Sequence, residues 1–368
     1  MTVRILAAGD HFVLNRLFVD ALRELGAPAD PANPGLPAPG LREPGLPELD
    51  VTGLDIAELT LPWPVEPFGP VAEVREASGS EDELIEALRG AEICLTQMAP
   101  LTERVLAACP DLRLFCVSRG GPVNANLEAA TAHGVAVTFA PGRNATATAE
   151  HTLGMILAAV RRIPSTHGEL MSGVWRGDYY TYDSVGPELD GGTVGLVGYG
   201  AIGGKVARML AGFGARVLVF DPYAADDGYA ERVSSLDELL SRSTVVSLHA
   251  RATAETSGMI GAAQLAAMPA GSVLVNCARG SLVDYEAVCD ALESGHLFGA
   301  AFDVFPEEPL PKDSRLLTAP NVVMTPHLAG ASKETAQKAA RIVAADVGRH
   351  LRGEPLAHCA NPEVFRLR

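Results

Sequence analysis

The sequence predicts an α/β protein built from two doubly wound parallel sheets. Two observations carry that prediction. Short apolar, β-branched runs alternate with amphipathic helical stretches along nearly the whole chain, the pattern of repeated βαβ units. In the middle, residues 193–221 read strand, glycine turn, helix, strand, acid. A chain of 368 residues has room for two such cores, each large enough to hold without disulfide staples.

The first half begins with a strand over residues 3–8 and a helix over 12–25, whose apolar positions are Val13, Leu14, Leu17, Val19, Leu22 and Leu25, stopped by Gly26. Residues 27–50 are crowded with Pro and Gly and read as a surface excursion. Regular structure is expected to resume near Val71–Val74. A helix over 81–89 follows, opened by the capping box of Ser80 and Glu83. Strands over 93–96, 114–118 and 135–138 then alternate with helices over 102–108 and 127–133. A long helix over 145–162 is apolar on broad faces, which suits a place between domains or subunits. Residues 165–190 read as mostly irregular. Their Trp175, Tyr179, Tyr180 and Tyr182 mark a packed interface, with either a second copy or the substrate.

The central stretch contains Gly198, Gly200 and Gly203 in the spacing G-x-G-x-x-G, between the strands 193–197 and 216–220. Gly198 allows a tight turn, Gly200 lets a pyrophosphate approach the backbone, and Gly203 lets the helix pack close to the strand. The helix N-terminus offers unpaired N–H groups to the phosphates. Asp221 follows at the expected separation of about 20 residues, where it accepts hydrogen bonds from ribose hydroxyls and repels a 2′-phosphate. The stretch therefore predicts a bound dinucleotide, NAD in preference to NADP. A P-loop is excluded because Lys205 is followed by Val206.

The βα rhythm continues with strands over 245–248, 272–276, 298–302 and 322–324 and helices over 261–268 and 284–294. The last helix, 332–351, is capped by Ser332 and ends before Gly353. Ligands in open α/β sheets sit beyond the carboxyl ends of strands. Three sets of polar residues occupy such positions: Arg279 after the strand 272–276; Asp303, Glu307 and Glu308 after 298–302; and His327 after 322–324. Each alone has an ordinary structural explanation. Together, beside a dinucleotide fingerprint, they point to a catalytic site.

Composition narrows the partners. Net charge is −16, from 29 Lys and Arg against 45 Asp and Glu, with no basic stripe, which argues against nucleic acid or an anionic membrane as the main partner. The six cysteines include no C-x-x-C pair and lie mostly in apolar segments. They read as reduced core thiols in a reducing compartment, with no metal site. The N-terminus lacks the long apolar region of a signal peptide, and no apolar run reaches membrane-span length, so a cytoplasmic protein is expected.

The blocks NCARG (276–280), DVFPEEP (303–309) and TPHLAG (325–330), following a fingerprint that ends in Asp221, resemble the D-isomer-specific 2-hydroxyacid dehydrogenases. LTQMAPLTERVL (95–106), PGRNATATAEHTLGMILA (141–158) and NPEV (361–364) extend the likeness from about Ile93 to the end. The resemblance implies a Rossmann NAD-binding domain over 144–327 and a discontinuous, flavodoxin-like substrate domain over 1–143 and 328–368. It implies catalysis by Arg279, Glu308 and His327. Cofactor contacts would come from Gly198, Gly200, Ala201, Ile202, Asp221, His249, Ala278 and Asp303, the last at the nicotinamide end. Substrate contacts would come from Met98, Arg119, Gly120, Gly121 and Arg279, with Asn144 also on the pocket rim. The implied reaction is hydride transfer between NAD and a small anionic 2-oxo or 2-hydroxy acid, in a homodimer joined through the nucleotide-binding domain.

Those roles agree with the chemistry of the side chains. The planar fork of Arg279 fits a carboxylate and can polarise the adjacent carbonyl. His327 can donate a proton to the oxygen that gains charge, and Glu308 can fix its tautomer. The chain departs from the family pattern in two places. The loop 118–124 is shorter than usual and contains Arg119, either a second anion contact, favouring a phosphorylated or dicarboxylate substrate, or a structural ion-pair partner. Arg251 stands in a loop expected to line the adenosine side. Two rival functions are an NAD-sensing corepressor, as in C-terminal-binding proteins, and a dehydrogenase of another small anion such as phosphite.

Overall fold

The computed structural model describes residues 3–26, 53–223 and 227–366, and the Pro/Gly-rich 27–50 segment lies outside them. The chain forms two compact units, one of residues 1–144 with 332–368, the other of 145–331.

The first unit opens with β1 (Val3–Gly9), α1 (Asn15–Glu24), β2 (Leu54–Thr60), α2 (Glu81–Ala87), β3 (Ile93–Thr96), α3 (Glu103–Ala108), β4 (Leu114–Val117), α4 (Leu127–Ala132) and β5 (Ala136–Phe139). The sheet is all parallel, in the order β2-β1-β3-β4-β5. β3 and β4 are buried along their whole length, which is why they read as continuous apolar runs. The predicted capping box forms: the Glu83 N–H donates to the Ser80 hydroxyl, and the Ser80 N–H to the Glu83 carboxylate at 3.2 Å.

The second unit contains α5 (Ala145–Val160), α6 (Ile163–Met171), β6 (Thr193–Val197), α7 (Gly203–Gly212), β7 (Arg216–Phe220), β8 (Glu231–Arg232), α8 (Leu236–Arg242) and β9 (Val245–Leu248). It continues with α9 (Ala262–Ala267), β10 (Ser272–Asn276), α10 (Tyr285–Glu293), β11 (Leu297–Phe302) and β12 (Val322–Met324). Its seven parallel strands run β12-β11-β10-β9-β6-β7-β8. The winding direction reverses between β6 and β9, so the glycine fingerprint after β6 lies at the switch point where such sheets bind ligands. The chain then returns to the first unit as α11 (Lys333–Leu351), where Ala336, Ala340, Val343, Ala344 and Val347 join Phe18 and Leu22 of α1 in the core over β1, β3 and β4.

The two-sheet α/β prediction is borne out, with local corrections. β2 falls where no strand was expected, because its LDIAELT alternates with acids and it lies at the sheet edge, mostly half-exposed. Val71–Val74 is only an isolated bridge. α6 occupies the start of a stretch expected to be irregular; Pro164 in its first turn suits that end of a helix, and none of its residues is buried. α8 was also unforeseen, although the Ser235 hydroxyl accepts the Glu238 N–H as an ordinary N-cap. Among the described residues no helix is long and apolar enough to cross a membrane. All six cysteines are free thiols.

Candidate active site

The dinucleotide fingerprint has the required geometry. Gly198 has φ +99°, which L side chains rarely adopt, and a Cβ there would lie 2.7 Å from the carbonyl carbon of His249. A Cβ on Gly203 would overlap the Gly198 carbonyl oxygen, whereas one on Gly200 would meet nothing within 4 Å. The turn is thus tight on the protein side and open at Gly200, which fits a pyrophosphate at the start of α7. Asp221 is held at the tip of β7 by the N–H groups of Tyr199 (2.7 Å) and Tyr223 (2.8 Å), one on each oxygen. Each oxygen keeps a second lone pair for a ribose hydroxyl. Ala201 is exposed and Ile202 half-buried. His249 is pushed down to about 4 by burial, so its ring is neutral at neutral pH; Nε2 lies 3.0 Å from the Ser247 hydroxyl. Arg251 is exposed.

Arg279 is placed by a buried asparagine. The Asn276 side chain accepts from the Ala278 N–H (3.0 Å) and donates to the Arg279 carbonyl (2.9 Å) and the Tyr285 hydroxyl (3.3 Å). Tyr285 in turn donates to the Val304 carbonyl at 2.6 Å, tying the loop after β10 to the loop after β11. The guanidinium of Arg279 is exposed, with Nη1 donating to the Ala278 carbonyl at 2.6 Å. Gly280 has a role that sequence reasoning missed: any Cβ there would overlap the backbone carbonyl of Phe305. Nothing in the spacing could have announced this backbone-to-backbone contact. Gly280→Ala is therefore expected to cost about 1–3 kcal/mol in overpacking and to displace Arg279, seen as a lower melting temperature with reduced turnover. A variant that melts and turns over like the parent would refute this.

Glu308 and His327 meet. Glu308 accepts the Phe305 N–H at 3.0 Å on one oxygen and lies 2.7 Å from His327 Nδ1 on the other; Glu307 is exposed. The Glu308 hydrogen bond raises His327 above the usual imidazole range, against the opposing effect of burial. Burial alone would raise Glu308, but the bonds from His327 and the Phe305 N–H, helped by the charges of His327 and Arg279, hold it below the usual carboxylate range. The influence of Arg279 on both groups places all three within one electrostatic field. With Nδ1 engaged by Glu308, Nε2 is the ring nitrogen left for another partner.

The His327 loop is latched by Asp303, which is fully buried. Its carboxylate accepts from the Thr325 hydroxyl (2.6 Å) and from the N–H groups of Leu328 (2.7 Å) and Ala329 (2.8 Å). Its carbonyl accepts from the His327 N–H at 2.9 Å. His327 itself has φ +53°, a conformation that needs such surrounding support. His151 on α5 adds a contact to Thr325, with 3.0 Å between Nε2 and the hydroxyl oxygen; the sequence reading gave it no role.

The remaining candidates belong to the first unit. Met98 is fully buried in the core with Leu6 and Phe115. Its Sδ lies 3.4 Å from Arg119 Nη1, while Arg119 Nη2 makes a 2.7 Å ion pair with Glu76. Gly120 and Gly121 face open space: a Cβ on either would meet nothing within 4 Å. Asn144 is half-buried. In the second unit Trp175, Tyr180 and Tyr182 are 85–94% exposed, whereas the Tyr179 hydroxyl donates to Glu169 at 2.9 Å.

Residues 153–329 match the family described as D-isomer specific 2-hydroxyacid dehydrogenase, NAD binding domain. The chain is 36% identical over 297 residues to the glyoxylate reductase of Korarchaeum cryptofilum, covering 80% of this chain and 90% of that protein. It is 39% identical over 310 residues to the D-3-phosphoglycerate dehydrogenase of Mycobacterium tuberculosis (strain ATCC 25618 / H37Rv), covering 83% of this chain but only 58% of that longer protein. Among solved structures, the TT0316 protein of Thermus thermophilus superposes with a TM-score of 0.73 at 30% identity, over 97% of this chain and 100% of that one. The chain belongs to the D-isomer-specific 2-hydroxyacid dehydrogenase family, and residues 153–329 match its NAD-binding domain.

Proposed function

We propose that this protein is an NAD-dependent oxidoreductase that interconverts a 2-oxo acid and a D-2-hydroxy acid, with His327 as the acid and base. The observation that carries the reading is the 2.7 Å His327–Glu308 pair in the field of Arg279, in the same unit as the glycine fingerprint. Gly198, Gly200, Ala201, Ile202 and Asp221 would hold the dinucleotide, with His249, Ala278 and Asp303 beside it. Bound NADH supplies the hydride. Arg279 pairs with the substrate carboxylate and draws electron density from the carbonyl. His327 delivers its Nε2 proton to the carbonyl oxygen as charge develops there, and takes it back in the oxidative direction. Glu308 holds the ring in place and stabilises its charged form.

Met171, Val174, Trp175, Tyr180 and Tyr182 are exposed apolar or aromatic residues within twelve positions of the chain, which suits burial against a second copy. A homodimer through these residues is therefore part of the reading. Sedimentation of the parent at twice the monomer mass, and at the monomer mass after Trp175→Glu with Tyr180→Glu, would support it. Free thiols at all six cysteines suit a reducing compartment such as the cytoplasm.

The functional test is loss of NADH absorbance with a panel of 2-oxo acids, run in parallel with NADPH. Asp221 is expected to make NADH better by at least about tenfold, the difference of one repelled phosphate. Silence across the panel with NADH binding intact would sink the reading.

A further inference from the structure

The hydrogen bonds that brace Arg279 and those that hold Glu308 join end to end. The Ala278 N–H donates to the Asn276 side-chain carbonyl at 3.0 Å. The amide N–H of that side chain donates to the Tyr285 hydroxyl at 3.3 Å, and the hydroxyl donates to the Val304 carbonyl at 2.6 Å. The Val304 carbonyl and the Phe305 N–H are the two sides of one planar peptide unit. From the other side of that plane the Phe305 N–H donates to Glu308 Oε1 at 3.0 Å, and Glu308 Oε2 lies 2.7 Å from His327 Nδ1. From Asn276 to the peptide, each link accepts a bond at one end and donates one at the other, always toward the carboxylate. Bonds in such a series strengthen one another. The whole series lies within the second unit.

Tyr285 is the side chain that carries the series from one loop to the next. Asn276 pairs with Phe302 across β10 and β11, so the two loops leave the sheet side by side. Tyr285 is the first residue of α10, behind Asp284, whose carboxylate accepts the Glu286 N–H at 3.1 Å and the Ala287 N–H at 3.2 Å. Its ring centre lies 4.9 Å from that of Phe302 and 6.5 Å from that of Phe305. Asn276, Tyr285 and Val304 are all buried, which shields these bonds from water. Burial pushes the phenol well above its usual range; the Glu308 charge adds to this and the Asn276 bond opposes it. The hydroxyl therefore keeps its proton and remains a donor to Val304. The Asn276 amide also donates to the Arg279 carbonyl at 2.9 Å, so one hydroxyl is joined to the Arg279 loop on one side and to Glu308 on the other.

We propose that Tyr285 is a positioning residue: its hydroxyl holds the 304–305 peptide so that Glu308 stays on His327 Nδ1 in register with the Arg279 loop. The inference rests on the proposed roles of those three residues and adds the group that aligns them. A phenylalanine keeps the ring and its packing but leaves the Val304 carbonyl unheld. The peptide can then tilt, and the Glu308 side chain, 27% exposed, can turn from the ring to water. His327 loses part of the bond that raises it. The other charges acting on it, Asp303 and Arg279, are the same in both proteins.

The test is Tyr285→Phe in the full chain, with the imidazole signals followed by NMR against pH in the absence of cofactor and substrate. The His327 signal is assigned by its absence from His327→Ala. Its midpoint is expected to move to lower pH by about half a pH unit or more. Val288→Ala, which thins the core beneath α10 without touching the series, is expected to lower the melting temperature and leave the midpoint in place. In turnover with NADH, Tyr285→Phe is expected to lower kcat about tenfold with KM within about twofold of the parent, because Arg279 itself is retained. The fall in rate at high pH should move in the same direction as the NMR midpoint. A midpoint that stays or rises in Tyr285→Phe, an equal movement in Val288→Ala, or a loss confined to KM would overturn the proposal. If no oxo acid is turned over, the proposed reaction fails, and the midpoint alone decides this inference.

Discussion

Replacing His327 with alanine is expected to lower turnover of the preferred 2-oxo acid by about 10²- to 10⁴-fold, the usual contribution of a general acid. NADH binding, read by fluorescence titration, stays close to that of the parent, because the substitution leaves the glycine turn and Asp221 in place. Undiminished turnover would remove the mechanism. The same pair sets a pH dependence. In the proposed mechanism reduction requires the protonated ring, and Glu308 raises His327 above its ordinary range. The rate is therefore full at low pH and falls as pH rises through that raised value. In Glu308→Gln the carboxylate's charge is gone, and the fall moves to lower pH with a lower plateau. A profile that stays in place in Glu308→Gln would show that another group controls the proton.

The second large effect is expected at Asp303. Asp303→Ala deprives the Thr325 hydroxyl and the Leu328 and Ala329 N–H groups of their acceptor. Each donor left unmet in a buried place costs about 1–3 kcal/mol, so destabilisation of about 3 kcal/mol or more is expected. The loss falls on the loop that keeps His327 at φ +53°. Hydrogen exchange of the amides over 325–329 should accelerate strongly, and turnover should fall even though no group of the His327–Glu308 pair is altered. A variant with parental exchange and turnover would show that the latch is dispensable.

Much of this architecture was legible because buried parallel strands leave an uninterrupted apolar signature. Leu114–Val117 and Ser272–Asn276 could be placed from composition alone. β2 escaped because half-exposed residues of an edge strand alternate with acids, as a loop can. α8 escaped although Ser235 and Glu238 announced its start; the capping signal was present and went unread. In the site, Arg279, Glu308 and His327 were visible as polar residues just beyond strand ends. The Asp303 latch and the Asn276 brace were not. A donor's partner depends on which loops lie side by side, and one sequence does not state that.

Gly280 has a consequence for how this protein could diversify. Its backbone touches that of Phe305 with no space for a methyl group between them. The loop bearing Arg279 and the loop bearing Glu308 are thereby fused into a single block. Neither can lengthen, shorten or tilt without forcing the other to follow. Drift that alters which acid is accepted would then accumulate outside these two loops. The proposed proton-handling residues would pass unaltered from one specificity to the next, like a fixed die used with interchangeable fittings.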